Sequence, residues 1–343
     1  MKSPNMPEHS IELGVMQRFP LTGRLRFERA VSRAELKAAE AEVDDVARKI
    51  AGDAKLQAVR ILASQEQQAL RQRQIENSKQ LADFSRSRAA AGEIPLTDAS
   101  QVELETRQLE TEIIQLRVEE AGLTGMLRPM LGLERGDTVR ITGKLQAGTT
   151  AGTGAERPDL RAARANIEAA QQAAALAHAQ RYEDVGFGLG AEYERTMDMP
   201  EGYSNDRMLG FRFSIPLPIW NDNSGKIREA KAAAERRRLE RVALQNEING
   251  EIHGILAERA ELLRLLGTID RDLLPSATQL EEELQQSQAA GQTPLVEVLR
   301  ARDRRLQIAR QRLDVLRDLH LASVRHEIAT GGIVHTITTR KGK

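Results

Sequence analysis

Cysteine, aromatic residues and long apolar runs are what this chain of 343 residues has least of. It contains no cysteine, its aromatic content is 3%, and no apolar run approaches the roughly 20 residues that a membrane-spanning helix needs. Without cysteine the chain forms no disulfide, no thiolate metal site and no cysteine nucleophile. The 50 basic and 50 acidic side chains cancel, so no net field attracts nucleic acid, and we predict no nucleic-acid partner.

The residues that are abundant are those of long helices. Glu, Gln, Ala, Arg and Leu fill residues 24–88 and 226–287, a composition typical of extended or coiled-coil helices. A break containing Gly and Pro follows each stretch, and helical sequence resumes over 96–131 and 294–330. Pro275 is expected to end or kink the second long helix. The first helix would be about 97 Å long, so we predict long antiparallel helical hairpins in place of a globule.

Two landmarks occur twice in the same order, which indicates a tandem duplication. LGVMQRFPL at 13–21 matches LGFRFSIPL at 209–217 at an offset of 196 residues, and AGEIPL at 91–96 matches AGQTPL at 290–295 at an offset of 199. The repeating unit is therefore about 200 residues long. The first ten residues lack the apolar core of a signal peptide. Because the chain starts close to the first landmark, the first copy is expected to lack one helix and one strand.

The predicted domains follow this repeat, with each copy contributing strands and a helical hairpin. Sequence rich in Gly and Thr separates the two copies and predicts a linker. The predicted boundaries are 1–23 for a partial strand hairpin of the first repeat, 24–131 for its helical hairpin, 132–157 for the linker, 158–181 for a short helix of the second repeat, 182–221 for its strand hairpin, 222–330 for its helical hairpin and 331–343 for a tail.

Residues 182–220 change character and predict a β-hairpin. Apolar residues alternate with glycine and charged residues along 183–196 and 207–217, and residues 11–19 repeat the pattern with Gln17 as the exception. A lipid-facing wall with a polar lumen explains one wholly apolar face, and a soluble hairpin packed on one side is the alternative. The residues expected to face lipid are Ile11, Leu13, Val15, Val185, Phe187, Leu189, Tyr193, Leu209, Phe211, Phe213 and Ile215.

Six segments together resemble the TolC-like outer-membrane efflux proteins, in particular the heavy-metal subgroup. They are residues 11–26, 89–105, 126–134, 157–171, 209–230 and 289–303. The resemblance implies a mainly α fold with a small β part, in which long antiparallel helical hairpins form a coiled-coil barrel and amphipathic strands join a trimeric outer-membrane barrel. It also implies a homotrimer in the outer membrane with a periplasmic extension, a periplasmic adaptor (membrane fusion protein) and an inner-membrane pump.

The resemblance also assigns roles to two groups of residues. The hairpin-tip positions that match the family's adaptor contacts are Gly92, Ile94, Pro95, Leu96, Gly291, Thr293, Pro294 and Leu295. Glu297 matches the first acid of the family's tunnel gate, and Arg300 stands where a second acid is expected. Turn geometry alone also explains Gly and Pro at the tips. An ordinary i, i+3 surface pair is the alternative for Glu297 and Arg300.

Catalytic and metal chemistry find no support in the sequence. The six histidines are scattered, and the chain has no GxSxG motif, phosphate loop or zincin pair. The resemblance implies an export channel for metal ions or small toxic compounds, and we predict no cofactor, no metal site and no enzymatic activity. The alternative is a soluble coiled-coil scaffold or a non-functional truncated fragment of such a channel. A periplasmic adaptor is disfavoured because it would carry one helical hairpin and not two.

Overall fold

The computed structural model describes residues 7–134, 137, 139–145, 156–198, 202–216 and 222–332. Most of these residues are helical and one small antiparallel sheet accompanies them, which confirms the predicted fold class. The strands are β1 (Pro7–Phe19), β2 (Val185–Asp198) and β3 (Gly202–Ser214). The helices are α1 (Arg24–Ala90), α2 (Leu96–Met130), α3 (Pro158–Ala179), α4 (Ser224–Thr268), α5 (Leu274–Ala289) and α6 (Leu295–Ala329). In the part of the chain described, no helix is both long enough and apolar enough to cross a membrane.

The chain divides into two compact units. The first comprises Met1–Glu42 and Asp159–Gln245, and the second comprises Val43–Pro158 and Asn246–Lys343. The sheet and α3 belong to the first unit, whereas α2, α5 and α6 belong to the second. The boundary between the units falls within α1 and within α4.

The first unit contains the sheet, whose strand order is β1-β2-β3 with β2 antiparallel to both neighbours. Its third strand ends at Ser214, so Ile215 lies beyond the strand, and Leu217 lies outside the described residues. α3 buries a face of small residues, namely Leu160, Ala162, Ala165, Ala169, Ala177 and Ala179. Near the end of α3, Asn223 Nδ2 donates a hydrogen bond of 2.8 Å to the carbonyl of Ala177.

In the second unit, helical segments lie side by side in the order α2, α1, α6, α5. α1 meets α2 through Arg71, whose Nη2 lies 2.6 Å from Glu112 Oε2. It meets α6 through Asn77, whose Nδ2 donates a hydrogen bond of 3.0 Å to the carbonyl of Leu299. α6 in turn packs along α5. α1 therefore packs between two antiparallel neighbours, α2 on one side and α6 on the other.

The apolar core of the second unit lies midway along these helices. Its buried residues are Val59, Ala63, Leu145, Leu266, Ile269, Ile308, Leu313, Val315, Leu316 and Leu319. Closer to the hairpin tips the buried positions of α1 are mixed, with the polar Arg71, Gln74, Asn77 and Ser85 among the apolar Ile75 and Ala82. The larger apolar cluster therefore lies in the middle of the hairpins, although Val298 and Leu299 are also buried near the tips.

Both hairpins turn in the same way. Gly92 and Gly291 have φ values of +75° and +73°, a conformation that glycine adopts without a Cβ penalty. After each glycine, the N–H of the next residue donates to a carbonyl five residues earlier, Glu93 to Arg88 at 2.9 Å and Gln292 to Ser287 at 3.0 Å. The return helices α2 and α6 are each 35 residues long and begin 199 residues apart.

This equality of turn and length supports the duplication. The division of the chain into repeat domains stays a prediction, because the predicted linker 132–157 and tail 331–343 lie largely outside the described residues. The ends of the return helices add one more parallel: Gly132 and Gly331 follow them with φ values of +67° and +74°.

The expected disturbance at Pro275 takes the form of a π-helical segment. The chain stays helical from α4 into α5, and residues Ile269–Leu273 between them adopt the wider π turn. Pro275 is the second residue of α5. A proline has no N–H to donate to the carbonyl of Arg271, and a π turn next to it absorbs the missing hydrogen bond without ending the helix.

Candidate functional site

The three strands carry one continuous apolar face. Strand register places Val15, Leu189 and Phe211 in one row across the sheet, and the rows on either side of it are also apolar except for Gln17, which lies opposite Phe187. Val15, Leu209 and Phe211 are between 76% and 80% exposed, and nothing in the described part of the chain covers them. The predicted lipid-facing residues that lie within the strands all share this face: Ile11, Leu13, Val15, Val185, Phe187, Leu189, Tyr193, Leu209, Phe211 and Phe213.

The opposite face of the sheet is polar and has few side chains. Gly14, Gly190 and Gly210 form one row across all three strands. In the neighbouring rows, Arg212 Nη2 lies 3.5 Å from Glu12 Oε1. The sheet is therefore mainly apolar on one face and mainly glycine and charged residues on the other.

Of the two hairpin tips, only the first exposes its leucine. Leu96, the first residue of α2, is 73% exposed, whereas the equivalent Leu295 is half-buried. Ile94 and Thr293 are also half-buried, and Thr293 Oγ1 lies 2.6 Å from Ser287 Oγ. The residues that fix the turns, Gly92, Pro95, Gly291 and Pro294, are all exposed.

Glu297 and Arg300, the residues assigned to the gate, form a pair within one chain. Glu297 Oε1 lies 3.5 Å from Arg300 Nη1, and both side chains are exposed on the first two turns of α6. This is the geometry of an i, i+3 surface pair. A ring of Glu297 side chains around an axis would need further copies of the chain, so the gate stays a prediction.

A groove near the tips is a feature that sequence reasoning missed. We call it the distal groove: α1 is its floor, α2 and α6 are its walls, and two adjoining cavities of about 1130 and 360 Å³ mark its course. Polar side chains cross its floor, where Arg71 Nη1 donates to Gln74 Oε1 at 2.6 Å. Asp303 Oδ2 on the α6 wall accepts a hydrogen bond of 2.9 Å from Gln307. The signal in the sequence was the seven-residue spacing of acids along α2.

Burial shifts the ionisation of two groups in this groove. It raises the pKa of Asp303, and the negative charge of Glu105 adds to that rise, whereas the Arg71 guanidinium opposes it. Burial also lowers the pKa of Arg71, while Glu112 opposes the change. Asp303 is therefore a partly buried carboxylate for which the nearby Arg71 does not fully offset the cost of burial.

The far end of α6 is held by two arginines that sequence reasoning also missed. Arg48, 2% exposed, donates from Nη1 to the carbonyl of Ile328 at 2.5 Å, and Arg157 donates to that of Ala329 at 3.0 Å. Positive charge at a helix C-terminus satisfies carbonyls that have no partner within the helix. Burial alone would raise the pKa of Asp45 beside Arg48, but hydrogen bonds from Lys49 and Arg48 lower it overall.

Metal ligands do not converge among the described residues. No group of three or more His, Asp or Glu side chains there is placed to hold a metal ion. The arrangement of the molecule thus offers surfaces for contact, namely an apolar sheet face, two tips and a polar groove.

The comparisons with known proteins agree with this architecture. A family model described as outer membrane efflux protein matches residues 153–332. The crystal structure of the outer membrane protein VceC of Vibrio cholerae is 18% identical, with a TM-score of 0.72 over 94% of this chain and 79% of that one. The open state of the Neisseria gonorrhoeae MtrE outer membrane channel is 12% identical, with a TM-score of 0.73 over 95% and 80%.

CusC, a third solved structure that is described as forming a transmembrane channel, is 17% identical, with a TM-score of 0.72 over 94% of this chain and 77% of that one. At such identities the likeness to the solved structures shows the fold alone. Among curated protein sequences, none is a significant match to this chain.

Proposed function

Since the chain belongs to the family of outer membrane efflux proteins, we propose that it is the outer-membrane channel subunit of a tripartite efflux system. The observation that carries the proposal is the exposed apolar face of the sheet in a chain that also contains long helical hairpins. Apolar side chains that no part of the described chain covers are costly in water and stable against lipid. A soluble scaffold offers no reason for such a face.

The proposed assembly is a homotrimer. Three copies would bring their strands together so that the edges of β1 and β3 are paired, because unpaired backbone groups are not tolerated in lipid. The helical hairpins would then form a periplasmic tunnel, with their tips pointing to a periplasmic adaptor and an inner-membrane pump. Leu96 is the strongest candidate for adaptor contact, because an exposed leucine at a tip is stabilised when a partner covers it.

The substrates proposed are small toxic compounds or metal ions. The heavy-metal subgroup is proposed from the segments that resemble it, such as residues 209–230 and 289–303. In a trimer, three Glu297 carboxylates at the tunnel mouth would favour cations, and Arg300 would oppose them. We expect Glu297→Gln to lower cation selectivity in bilayer recordings and Arg300→Ala to raise it. Unchanged selectivity in both variants would leave the two residues as an ordinary surface pair.

A charge placed on either face of the sheet tests the membrane assignment. Phe211→Arg puts a cation on the apolar face, where a lipid-facing site would make it cost about 2–4 kcal/mol. Gly210→Arg puts the same charge one residue away on the polar face, where lipid imposes no such cost. We expect only Phe211→Arg to reduce the amount of trimer recovered from outer membranes in mild detergent. Equal recovery of both variants, or recovery of the unmodified chain as a soluble monomer, would overturn the proposal.

A further inference from the structure

Charge in the first unit is divided between the two ends of the sheet. Residues 192–207, around the turn between β2 and β3, contain five acids and two arginines. At the other end, residues 24–33 contain four arginines and one acid, and residues 224–238 contain six basic residues and two acids. The chain as a whole has no net charge, so this separation of charge is local to the unit that carries the sheet.

Strand register brings the start of α1 to the basic end of the sheet. β1 ends at Phe19 opposite Val185, the first residue of β2, and β3 ends beside them at Ser214. Arg24, the first residue of α1, donates from Nη2 to Asp184 Oδ2 at 2.8 Å. Asp184 directly precedes β2, so α1 starts where the strands end.

The start of α4 lies near this same end. Asn223, the residue before α4, donates a hydrogen bond of 2.8 Å to the carbonyl of Ala177, close to the end of α3 and a few residues before β2. Arg33 is about 14 Å from the start of α1, and Lys231 is about 11 Å from the start of α4. The basic residues of both helices are therefore grouped within about three turns of the sheet.

Six basic side chains at this end are exposed and have no ion pair among the described residues. We call them the basal rim: Arg26, Arg29, Arg33, Lys226, Arg228 and Lys231. Two nearby acids, Asp184 and Glu28, are already paired with Arg24 at 2.8 and 3.6 Å. The exposed acids that remain near the rim are half as many, namely Glu183, Asp222 and Glu229.

Apolar and aromatic side chains adjoin the basal rim. Phe19 continues the apolar face to the end of β1 and is 52% exposed. Tyr182 is also exposed, and the guanidinium of Arg181 lies 5.9 Å from the centre of its ring. Leu25 is exposed one turn before Arg29 on the same side of α1. Aromatic rings, and basic side chains with apolar stems, are typical of the boundary between acyl chains and headgroups.

We propose that the basal rim binds the phosphate groups of anionic phospholipids in the leaflet that meets this end of the sheet. Arg26, Arg29 and Arg33 stand three and four residues apart, so one side of α1 presents three guanidinium groups, each able to bind two phosphate oxygens. Basic residues next to an anionic membrane surface add to one another in attracting it. The proposal rests on the proposed function, because lipid reaches the rim only if the apolar face of the sheet lies in a membrane.

The acid-rich end of a second copy would not reach the rim. Copies that lie side by side around one axis align like ends of their sheets. Glu194 and Asp206 lie opposite each other on β2 and β3, about 30 Å along the strand from Val185. That distance exceeds the Debye length at physiological salt several-fold, so these acids of a neighbour would not balance the rim.

A labelled lipid is the probe that tests this proposal. Phosphatidylglycerol with a fluorophore on one acyl chain is added to the full chain in a neutral detergent, and binding is followed by fluorescence anisotropy. The control probe is phosphatidylcholine with the same chains and fluorophore, because its headgroup has a phosphate but no net charge. We expect phosphatidylglycerol to bind at least about tenfold more tightly. This advantage should shrink when salt shortens the screening length.

Matched variants of the chain locate the site. Replacing Arg26, Arg29 and Arg33 together by glutamine should weaken binding of phosphatidylglycerol about tenfold, and replacing all three by lysine should retain most of the binding. The control removes the same charge from exposed positions of α1 and α2 outside the rim, in the triple variant Arg60→Gln, Arg73→Gln and Arg117→Gln. It should bind the probe as the unmodified chain does. Circular dichroism checks that all three variants keep their helices.

Four outcomes would contradict the proposal. Equal binding of the two lipids, or equal loss in the two glutamine variants, would overturn the rim as a lipid site. Displacement of the probe by inorganic phosphate as readily as by unlabelled phosphatidylglycerol would assign the rim to free anions. Tighter binding of a labelled single-stranded oligonucleotide than of the lipid would assign it to nucleic acid.

The test also separates the rim from the channel. None of these four outcomes involves the sheet variants, so a rim without lipid specificity would leave the channel proposal standing. Conversely, equal recovery of Phe211→Arg and Gly210→Arg from outer membranes would remove the channel assignment. Specific binding of phosphatidylglycerol through the three arginines in detergent would then still establish the rim as a lipid site.

Discussion

The two helical hairpins have the same length and turn but opposite charge polarity. In the first hairpin the outgoing helix supplies the cations and the return helix the acids, in the pairs Arg71–Glu112, Lys79–Glu110 and Arg86–Glu103 at 2.6, 2.7 and 3.3 Å. In the second hairpin the outgoing segments supply the acids, in the pairs Glu258–Arg325, Asp270–Arg312 and Glu281–Arg305 at 2.8, 2.6 and 2.5 Å.

The reversed charge polarity explains how the helices of two similar hairpins avoid packing against the wrong partner. Each exposed ion pair contributes little to stability, but like charges placed opposite one another are destabilising. If the return helix α2 packed along α5 in place of α1, its acids would face acids. Opposite polarity thus discriminates between two hairpins of equal length, because the wrong combination is disfavoured more than the right one is favoured.

The largest effect is expected at Glu281, the most buried acid of these pairs. It is 6% exposed and lies between Arg302 at 3.1 Å and Arg305 at 2.5 Å. Glu281→Ala leaves both guanidinium groups without this acid and should lower the free energy of unfolding by about 2–3 kcal/mol, less than for a fully buried pair because the arginines are partly hydrated. Chemical denaturation in mild detergent measures it. The exposed neighbour Glu282 is the control, and its change to alanine should shift stability by less than about 0.5 kcal/mol.

The two hairpin turns should lose the same stability on substitution, although the ion pairs of the two hairpins differ. Gly92→Ala and Gly291→Ala each place a Cβ in a left-handed conformation, which costs about 1–2 kcal/mol. No other atom lies within 4 Å of the added carbon at either site, so the backbone alone determines the cost. Thermal unfolding should give the same loss for both variants within error. Gly250→Ala, within α4, is the control and should stabilise the protein by up to about 1 kcal/mol.

Asp303 should show a smaller effect that depends on pH. Its equivalent in the first hairpin is the exposed Leu104, so the acid belongs to the second hairpin only. A folded-state pKa above the unfolded value makes the carboxyl favourable to folding below the unfolded pKa, and this stability is lost as pH rises through the folded pKa. Asp303→Asn should therefore raise the melting temperature at neutral pH and change it little at low pH. A gain of equal size at both pH values would contradict the burial of this charge.

The smallest effect is expected at Glu103. Hydrogen bonds from Arg107 and then Arg86 lower the pKa of this exposed carboxyl. Arg86→Ala should raise the pKa of Glu103 toward its ordinary value, which an NMR titration of the carboxyl carbon can follow, and should leave the melting temperature nearly unchanged. Arg73→Ala, which removes a cation elsewhere on α1, should leave this pKa where it is. A large fall in melting temperature would show that the first hairpin depends on its charges as the second does.

Sequence patterns predicted local structure better than they predicted the contacts between distant segments. Alternating apolar residues placed Val15, Leu189 and Phe211 on one face, because strand periodicity needs no knowledge of partners. The seven-residue spacing of acids along α2 is visible in the sequence, but the distal groove was missed. The groove depends on α1 and α6 meeting across 222 residues, as at Asn77 and Leu299. The partners in each ion pair likewise depend on the register of the two helices of a hairpin. Helix propensity does not determine that register.

The hydrogen bond from Arg48 to Ile328 also constrains the order of events during synthesis. The two residues are 280 positions apart, a separation that a ribosome covers on the order of half a minute after Arg48 is made. α2 is made early enough to cover one side of α1, but the side that meets α6 stays uncovered until α6 has been produced. The second unit is therefore completed only once α6 is available, and until then one side of α1 stays without its partner helix.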